Sequence, residues 1–285
     1  MATTEERRLD ELIVEFNRRG RVETARNLTL GLLFLALGWA TYSRTEFNPA
    51  QLLRGTPNMG RLLAGFVHPN LAIIAPGSGS FPEGLVEHFI LETLAMAFLG
   101  TVLGSLAAIP VSFLAARNLM RRNPLGTAIY FLMRTLMSVI RSVPTLFWGI
   151  LFVTAVALGP FPGVLAIAIF SFGLMSKLFS EAIEAIDWGP VEALTATGAR
   201  PEQVVVHGVL PQVGSYLVAN LLYTFEVNVH SATILGVVGA GGIGFLLIQY
   251  IDQFQYDNTA MLLLLVIAMT LVIDYSSAAI RRRMI

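Results

Sequence analysis

Glu192-Ala193-Leu194-Thr195-Ala196-Thr197-Gly198-Ala199-Arg200-Pro201-Glu202-Gln203-Val204-Val205-Val206-His207-Gly208-Val209-Leu210-Pro211 is the part of this sequence that does not match its surroundings. It belongs to a polar stretch, Ser180–Gln212, with apolar runs on both sides: Val164–Phe179 before it and Val213–Val238 after it. Locally the stretch reads as short helices. Glu181, Ala182, Glu184, Ala185 and Asp187 fall in a first piece that stops at Gly189-Pro190. A second covers Val191–Thr197 and ends at Gly198, where a helix C-cap glycine belongs. Pro201 suits the first turn of a third piece, which Gly208 and Pro211 close.

Outward from this stretch the chain is apolar. Of its 285 residues, 55% are hydrophobic and 13% charged. A soluble domain carries about a quarter charged residues, so this much apolar surface calls for lipid as solvent. Apolar runs near Leu28–Tyr42, Phe89–Ala116, Leu146–Leu158, Val164–Phe179, Val213–Val238 and Thr259–Ile280 meet or approach the length of a spanning helix, about 20 residues. The third run gains Ala128–Val143, which Arg134 and Arg141 interrupt. The expected fold is all-α and polytopic, with about six transmembrane helices.

Arginines give the orientation, because cytoplasmic flanks collect basic residues. Arg7, Arg8, Arg18, Arg19, Arg21 and Arg26 precede the first span, Arg117, Arg121 and Arg122 follow the second, and Arg281, Arg282 and Arg283 end the chain. Both termini are therefore expected in the cytoplasm, and Ser180–Gln212 on the same side. The expected divisions are a cytoplasmic segment 1–26, a first anchor 27–43, an external Pro- and Gly-rich loop 44–86, and a transmembrane domain 87–285 containing the loop 180–212. No small-x-small cleavage site follows Trp39-Ala40-Thr41-Tyr42, so the first span reads as an uncleaved anchor. Pro49, Pro57, Pro69, Pro76 and Pro82, with Gly77-Ser78-Gly79-Ser80, are expected to break regular structure in the external loop. Gly159, Pro160, Pro162 and Gly163 mark a tight external turn between the third and fourth spans.

Several functions are excluded. Zero net charge argues against a nucleic-acid partner. Without cysteine there is no thiol catalysis, thiolate metal site or disulfide. His68, His88, His207 and His230 do not supply the His-Glu-x-x-His of a zinc protease. A P-loop requires Gly, four residues, Gly-Lys and Ser or Thr, whereas the single lysine, Lys177, lies between Ser176 and Leu178. The chain reads as a transport subunit and not an enzyme, and any ATP site it depends on would have to lie on a second protein.

The opening stretch resembles the coupling loop of ABC importer permeases, whose pattern is Glu-Ala-Ala, three residues, Gly, nine residues, Ile-x-Leu-Pro. Glu192, Ala193, Gly198, Leu210 and Pro211 match in identity and spacing; Leu194 replaces Ala and Gly208 replaces Ile. The resemblance implies that these five residues, with Glu181 and Glu184, couple to an ATPase. From about residue 85 onward, three further blocks carry a narrower likeness: Ser180–Asp187, Phe225-Glu226-Val227-Asn228-Val229-His230-Ser231-Ala232-Thr233 and Leu235–Gly244. They are similar to the phosphonate ABC importer permease family. That likeness implies a type I ABC importer permease fold (MetI-like) in a bacterial cytoplasmic (inner) membrane. It also implies a homodimer of this chain, two ABC ATPase subunits and an external phosphonate-binding protein. ATP and Mg would be bound by the ATPase, with no cofactor on this chain. The cargo implied is a phosphonate or a related small phosphorus oxyanion.

Ionisable groups inside a span are costly and read as functional. Glu226 and His230, four residues apart, share a helix face, which Tyr223 and Thr233 extend while Asn228 points elsewhere. These four are expected to line a translocation path or a dimer seam. The alternative use of Glu226 and His230 is a proton relay in a secondary transporter. Arg134 and Arg141, seven apart, share a face and suit an oxyanion near the cytoplasmic exit, or snorkel to the interface. Gly239-Ala240-Gly241-Gly242-Ile243-Gly244 satisfies the dinucleotide fingerprint formally but follows a spanning helix instead of a strand. Gly239, Gly241, Gly242 and Gly244 are therefore read as an external gate.

Overall fold

The computed structural model describes residues 23, 26–45, 49–73, 85–121 and 123–284. Two units are distinguished, Met1–Gly60 and Arg61–Ile285. In the first, the apolar run Leu28–Tyr42 forms a helix over 26–44 (α1), with Leu28, Phe34, Leu35 and Trp39 exposed. Residues 1–22 of the expected lead-in, and Pro76, Gly77–Ser80 and Pro82, lie outside the described residues.

The Pro- and Gly-rich segment after α1 departs from expectation. Pro49–Val67 is a helix (α2) with Pro57 inside it, and Leu71–Ile73 adds a 3-10 turn. Met59, Leu63 and Phe66 recur at helical spacing and share one face, and this amphipathic period outweighs a single internal proline.

The second unit is a bundle built around two close-packed helices, Leu85–Leu114 (α3) and Pro160–Glu184 (α7). Gly100 and Gly104 face α7, where an added Cβ would overlap Ile167 and the Ala168 carbonyl. This is small-x-x-x-small packing, which brings backbones into contact where no hydrophobic force between helices exists. Arg117–Met120 (α4) and Pro124–Ser142 (α5) follow α3, and Thr145–Val156 (α6) continues α5 after an 82° bend. The bend has a local cause: Val143 precedes Pro144 and is extended, as the residue before proline prefers. The third apolar run thus becomes a broken span.

Four helices are long and apolar enough to cross a bilayer alone: Val86–Leu114, Pro160–Glu184, Pro201–Gly236 and Tyr256–Arg283. The bent α5–α6 pair brings this to five among the described residues. With α1, they account for all six apolar runs.

Between α7 and the next long helix lie Gly189–Ala196 (α8) and Pro201–Val204 (α9), then Leu210–Gly236 (α10). The expected first short helix of the polar stretch is simply the last turn of α7, which continues through Glu184. Nor does Pro211 close a helix: it opens α10, and a π turn over Val205–Val209 joins α9 to it. There Leu210 donates its N–H to the Val205 carbonyl, five residues back, as a π turn requires. After α10 come a glycine turn, a short apolar helix Ile243–Asp252 (α11) and Tyr256–Met284 (α12). No strand occurs among the described residues, so the glycine-rich segment lacks the βαβ setting of a dinucleotide site.

Candidate functional site

The polar loop is anchored by one apolar side chain. Val191 on α8 is buried with Ala116, Ile183, Val209 and Val213, which fixes α8 against the ends of α3, α7 and α10. Away from that anchor Glu192, Ala193 and Ala196 are exposed. Gly198 ends α8 with φ +78°, a left-handed conformation that favours glycine. Leu210 and Pro211 are exposed at the start of α10. The two departures from the importer pattern meet in space: a Cβ on Gly208 would lie 3.1 Å from Leu194 Cδ1. The larger side chain at 194 occupies room that the glycine at 208 leaves open, so the departures compensate each other in volume.

The stem of the loop is stapled by Gln212, which was not foreseen. Its Nε2 donates to the Asp187 and Gly208 carbonyls at 3.1 and 2.6 Å, and its Oε1 accepts from the Asp187 N–H at 3.0 Å. Glu184 is engaged within the subunit. It accepts from Arg134 Nη2 at 2.6 Å and from the Arg117 N–H at 2.7 Å, while Asn118 Nδ2 donates to the Ile183 carbonyl at 2.8 Å. Of the two expected arginines, Arg134 is engaged with Glu184, and the Arg141 stem lies against Gly173 on α7. Glu181 is partly exposed and faces Lys177 at 3.6 Å.

On α10 the structure redraws the predicted stripe. Tyr216, Tyr223, His230 and Val237, each seven residues from the next, are exposed along one face. Glu226 lies at the edge of that face and pairs with Arg281 of α12, 3.2 Å away, instead of with His230. Thr233 donates its hydroxyl hydrogen to the Val229 carbonyl of its own helix. Asn228, on the inner side, is fully buried and donates to Thr101 and Ser171 at 2.7 and 2.6 Å, tying α10 to α3 and α7. An ionisable or amide group inside a span was the available signal for Asn228.

At the other end of α10 the glycine segment is closed. Gly241 and Gly242 have φ of +80° and +72°, and Gly236 packs directly on Gly244. Glu92 accepts from the Gly242 N–H at 3.1 Å and Thr93 from the Ile243 N–H at 2.8 Å, which caps α11. Gly159 donates its N–H to the Gly239 carbonyl at 3.0 Å, joining the turn before α7 to this one. The same signal that flagged Glu226 applies to Glu92, an acid near the start of an apolar run. Among the described residues no group of three His, Asp or Glu side chains converges on a metal position.

Comparisons with known proteins agree with this architecture. The family model for "Binding-protein-dependent transport system inner membrane component" matches residues 100–285. The phosphite transport system permease protein PtxC of Stutzerimonas stutzeri is 39% identical over 231 residues, 81% of this chain and 79% of that protein. The phosphate-import permease protein PhnE of Mycolicibacterium smegmatis is 34% identical over 237 residues, 83% of this chain and 42% of that protein. Among solved structures, a chain of the inward-facing MetNI methionine ABC transporter superposes with a TM-score of 0.62 at 26% identity, covering 70% of this chain and 96% of that one. Such permeases are non-enzymatic transport subunits whose ATPase is a separate chain. With its helical fold, its polar loop and this match over most of its length, the chain belongs to the binding-protein-dependent transport family, as a multi-pass inner-membrane permease subunit of an ABC importer.

Proposed function

We propose that this chain imports a small phosphorus oxyanion, phosphite, phosphonate or phosphate, and that α8 is the contact through which an ATPase drives it. The observation that carries the coupling half is the two-sidedness of α8: Val191 is locked in the bundle while Glu192 and Ala193 face out. A short helix fixed on one side and free on the other transmits a push from a groove in a partner as a rigid lever. Glu192, Ala193, Gly198, Leu210 and Pro211 form this contact surface, with Glu181 at its margin. Glu184 holds the stem. The cargo half rests on what the relatives are named for, phosphite and phosphate.

In this reading two copies of the chain pair, two ATPase subunits bind ATP and Mg, and an external binding protein delivers the anion. Both termini and the loop 180–212 are cytoplasmic, residues 27–43 anchor the chain, and 44–86 face outside. Tyr223 and His230 belong to the exposed α10 stripe that faces the path or the second copy. Glu226 flanks that stripe, neutralised by Arg281. This pairing disfavours a Glu226–His230 proton relay, because the carboxylate already has a cationic partner. Gly239, Gly241, Gly242 and Gly244 form the outer gate, a reading supported by the close packing of Gly236 on Gly244.

Reconstitution with the ATPase and the binding protein tests both halves. Uptake of phosphite, methylphosphonate or phosphate that requires ATP and resists collapse of the proton gradient is expected; uptake that follows the proton gradient without ATP overturns the reading. Glu192→Arg combined with Ala193→Trp, both at exposed positions, should leave a folded subunit that no longer co-purifies with its ATPase. Normal co-purification would end the assignment of α8.

A further inference from the structure

A cavity of about 600 Å³ opens beside the stem of the coupling loop, lined by Arg117, Asn118, Arg121 and Glu184. Its charges do not cancel. Glu184 already has Arg134 at 2.6 Å and the Arg117 N–H at 2.7 Å. The side chains of Arg117 and Arg121 are exposed and form no ion pair with any described residue. One anion and three guanidiniums leave two positive charges uncompensated around the cavity.

The geometry is set for a ligand. Arg117 and Arg121 are one helical turn apart and flank the same opening, and the Arg121 N–H closes that turn on the Arg117 carbonyl at 3.1 Å. The Tyr130 ring lies between Arg121 and Arg134, 6.0 and 5.3 Å from their guanidinium carbons, and Phe131 lies 5.9 Å from Arg121. Aromatic faces hold a guanidinium through the ring quadrupole and leave its N–H donors free for an acceptor. Asn118, bonded to the Ile183 carbonyl, ties the floor of the cavity to the last turn of α7.

We propose that this cavity binds a phosphate-type anion, held by Arg117 and Arg121, and that its occupancy steadies the stem from which the coupling loop departs. Two surplus charges match a phosphoryl dianion, or a phosphodiester with its neighbours, better than a single carboxylate. A planar guanidinium also takes two phosphoryl oxygens at once. The Arg117 N–H joins α4 to the Glu184 end of α7, so an occupied cavity that steadies α4 favours the arrangement in which α8 transmits force. That second half rests on the coupling reading of α8; the binding half does not. The anion has two possible sources, an anionic lipid headgroup or free phosphate.

The test uses the full chain with its ATPase in lipid discs of phosphatidylcholine, either with phosphatidylglycerol added or with inorganic phosphate in the buffer. Retained phosphatidylglycerol is counted by native mass spectrometry, and phosphate by equilibrium dialysis with radiolabel. Arg117→Gln/Arg121→Gln, at exposed positions, should weaken retention by about tenfold or more, with Arg117→Lys/Arg121→Lys intermediate. Loss of lipid retention alone assigns the site to the headgroup, and loss of phosphate retention alone assigns it to the soluble ion. Equal retention of both by wild type and the Gln variant overturns the site. ATP hydrolysis should rise severalfold, roughly 3-fold or more, with the retained anion in wild type and not in the Gln variant. Retention lost with no change in hydrolysis keeps the site and overturns its link to coupling. Failure of phosphorus-oxyanion uptake in wild type would leave both readouts intact and count only against the cargo.

Discussion

The two connections that flank α10 are built in opposite ways. Both are rich in glycine and small residues, and each connects α10 to a neighbouring helix. In the loop before α10, α8 buries a single residue, Val191, and turns most of its remainder outward. The turn after α10 is buried throughout Ala240–Gly244, with Glu92, Thr93 and the Gly159 N–H satisfying its backbone. Glycine serves different ends in the two. Gly198 ends a helix whose surface is on display, whereas Gly236 and Gly244 let two helices touch. One connection is shaped for a partner and the other for closure, and a mutation at each should be felt differently.

The largest effect is expected at the closed end. A Cβ on Gly244 runs into the Thr233 carbonyl, which is backbone and cannot swing aside. Gly244→Ala should destabilise the unit by about 3 kcal/mol or more, seen as a large drop in thermal midpoint in detergent. An unchanged midpoint would mean that the turn opens easily. Next comes Glu92→Ala, which leaves the Gly242 N–H without its acceptor and should cost about 1–3 kcal/mol, with Glu92→Gln retaining part of the loss. If Glu92→Ala leaves the midpoint unchanged, the cap contributes nothing.

At the open end the effects should be smaller and recoverable. Gly208→Ile forces a side chain against Leu194 and should cost about 1–2 kcal/mol. Adding Leu194→Ala should return about 1 kcal/mol of it, measured as a double-mutant cycle on thermal stability. Strict additivity would show that the two positions do not share space. Smallest of all, Glu192→Arg at its exposed site should move stability by no more than about 0.5 kcal/mol while weakening ATPase co-purification. A large loss of stability there would place Glu192 inside the bundle's energetics and blur the contrast.

Much of this was legible in one dimension. Apolar runs report where lipid is the solvent, and each run became a helix because backbone groups in hydrocarbon must bond within their own segment. The spacing from Glu192 to Pro211 located the loop, and the lone Lys177 excluded an ATP site, since both are questions of residue order. The amphipathic period of α2 is also present in the sequence, and Pro57, a residue that ordinarily interrupts a helix, lies inside it.

Other features depended on which helix lies against which. Glu226 and His230 share a face by periodicity, yet the partner of Glu226 is Arg281, 55 residues away. Glu92 meets Gly242 across 150 residues. Arg134 and Glu184, assigned to separate tasks by their positions in the chain, form one ion pair. Sequence by itself determined the spans, the loop and the absence of an ATP site, because hydropathy and local spacing are properties of consecutive residues. Tertiary structure alone decided which charges are matched, which glycines touch and which face of α8 stays free, because those depend on distances between helices that no local pattern encodes.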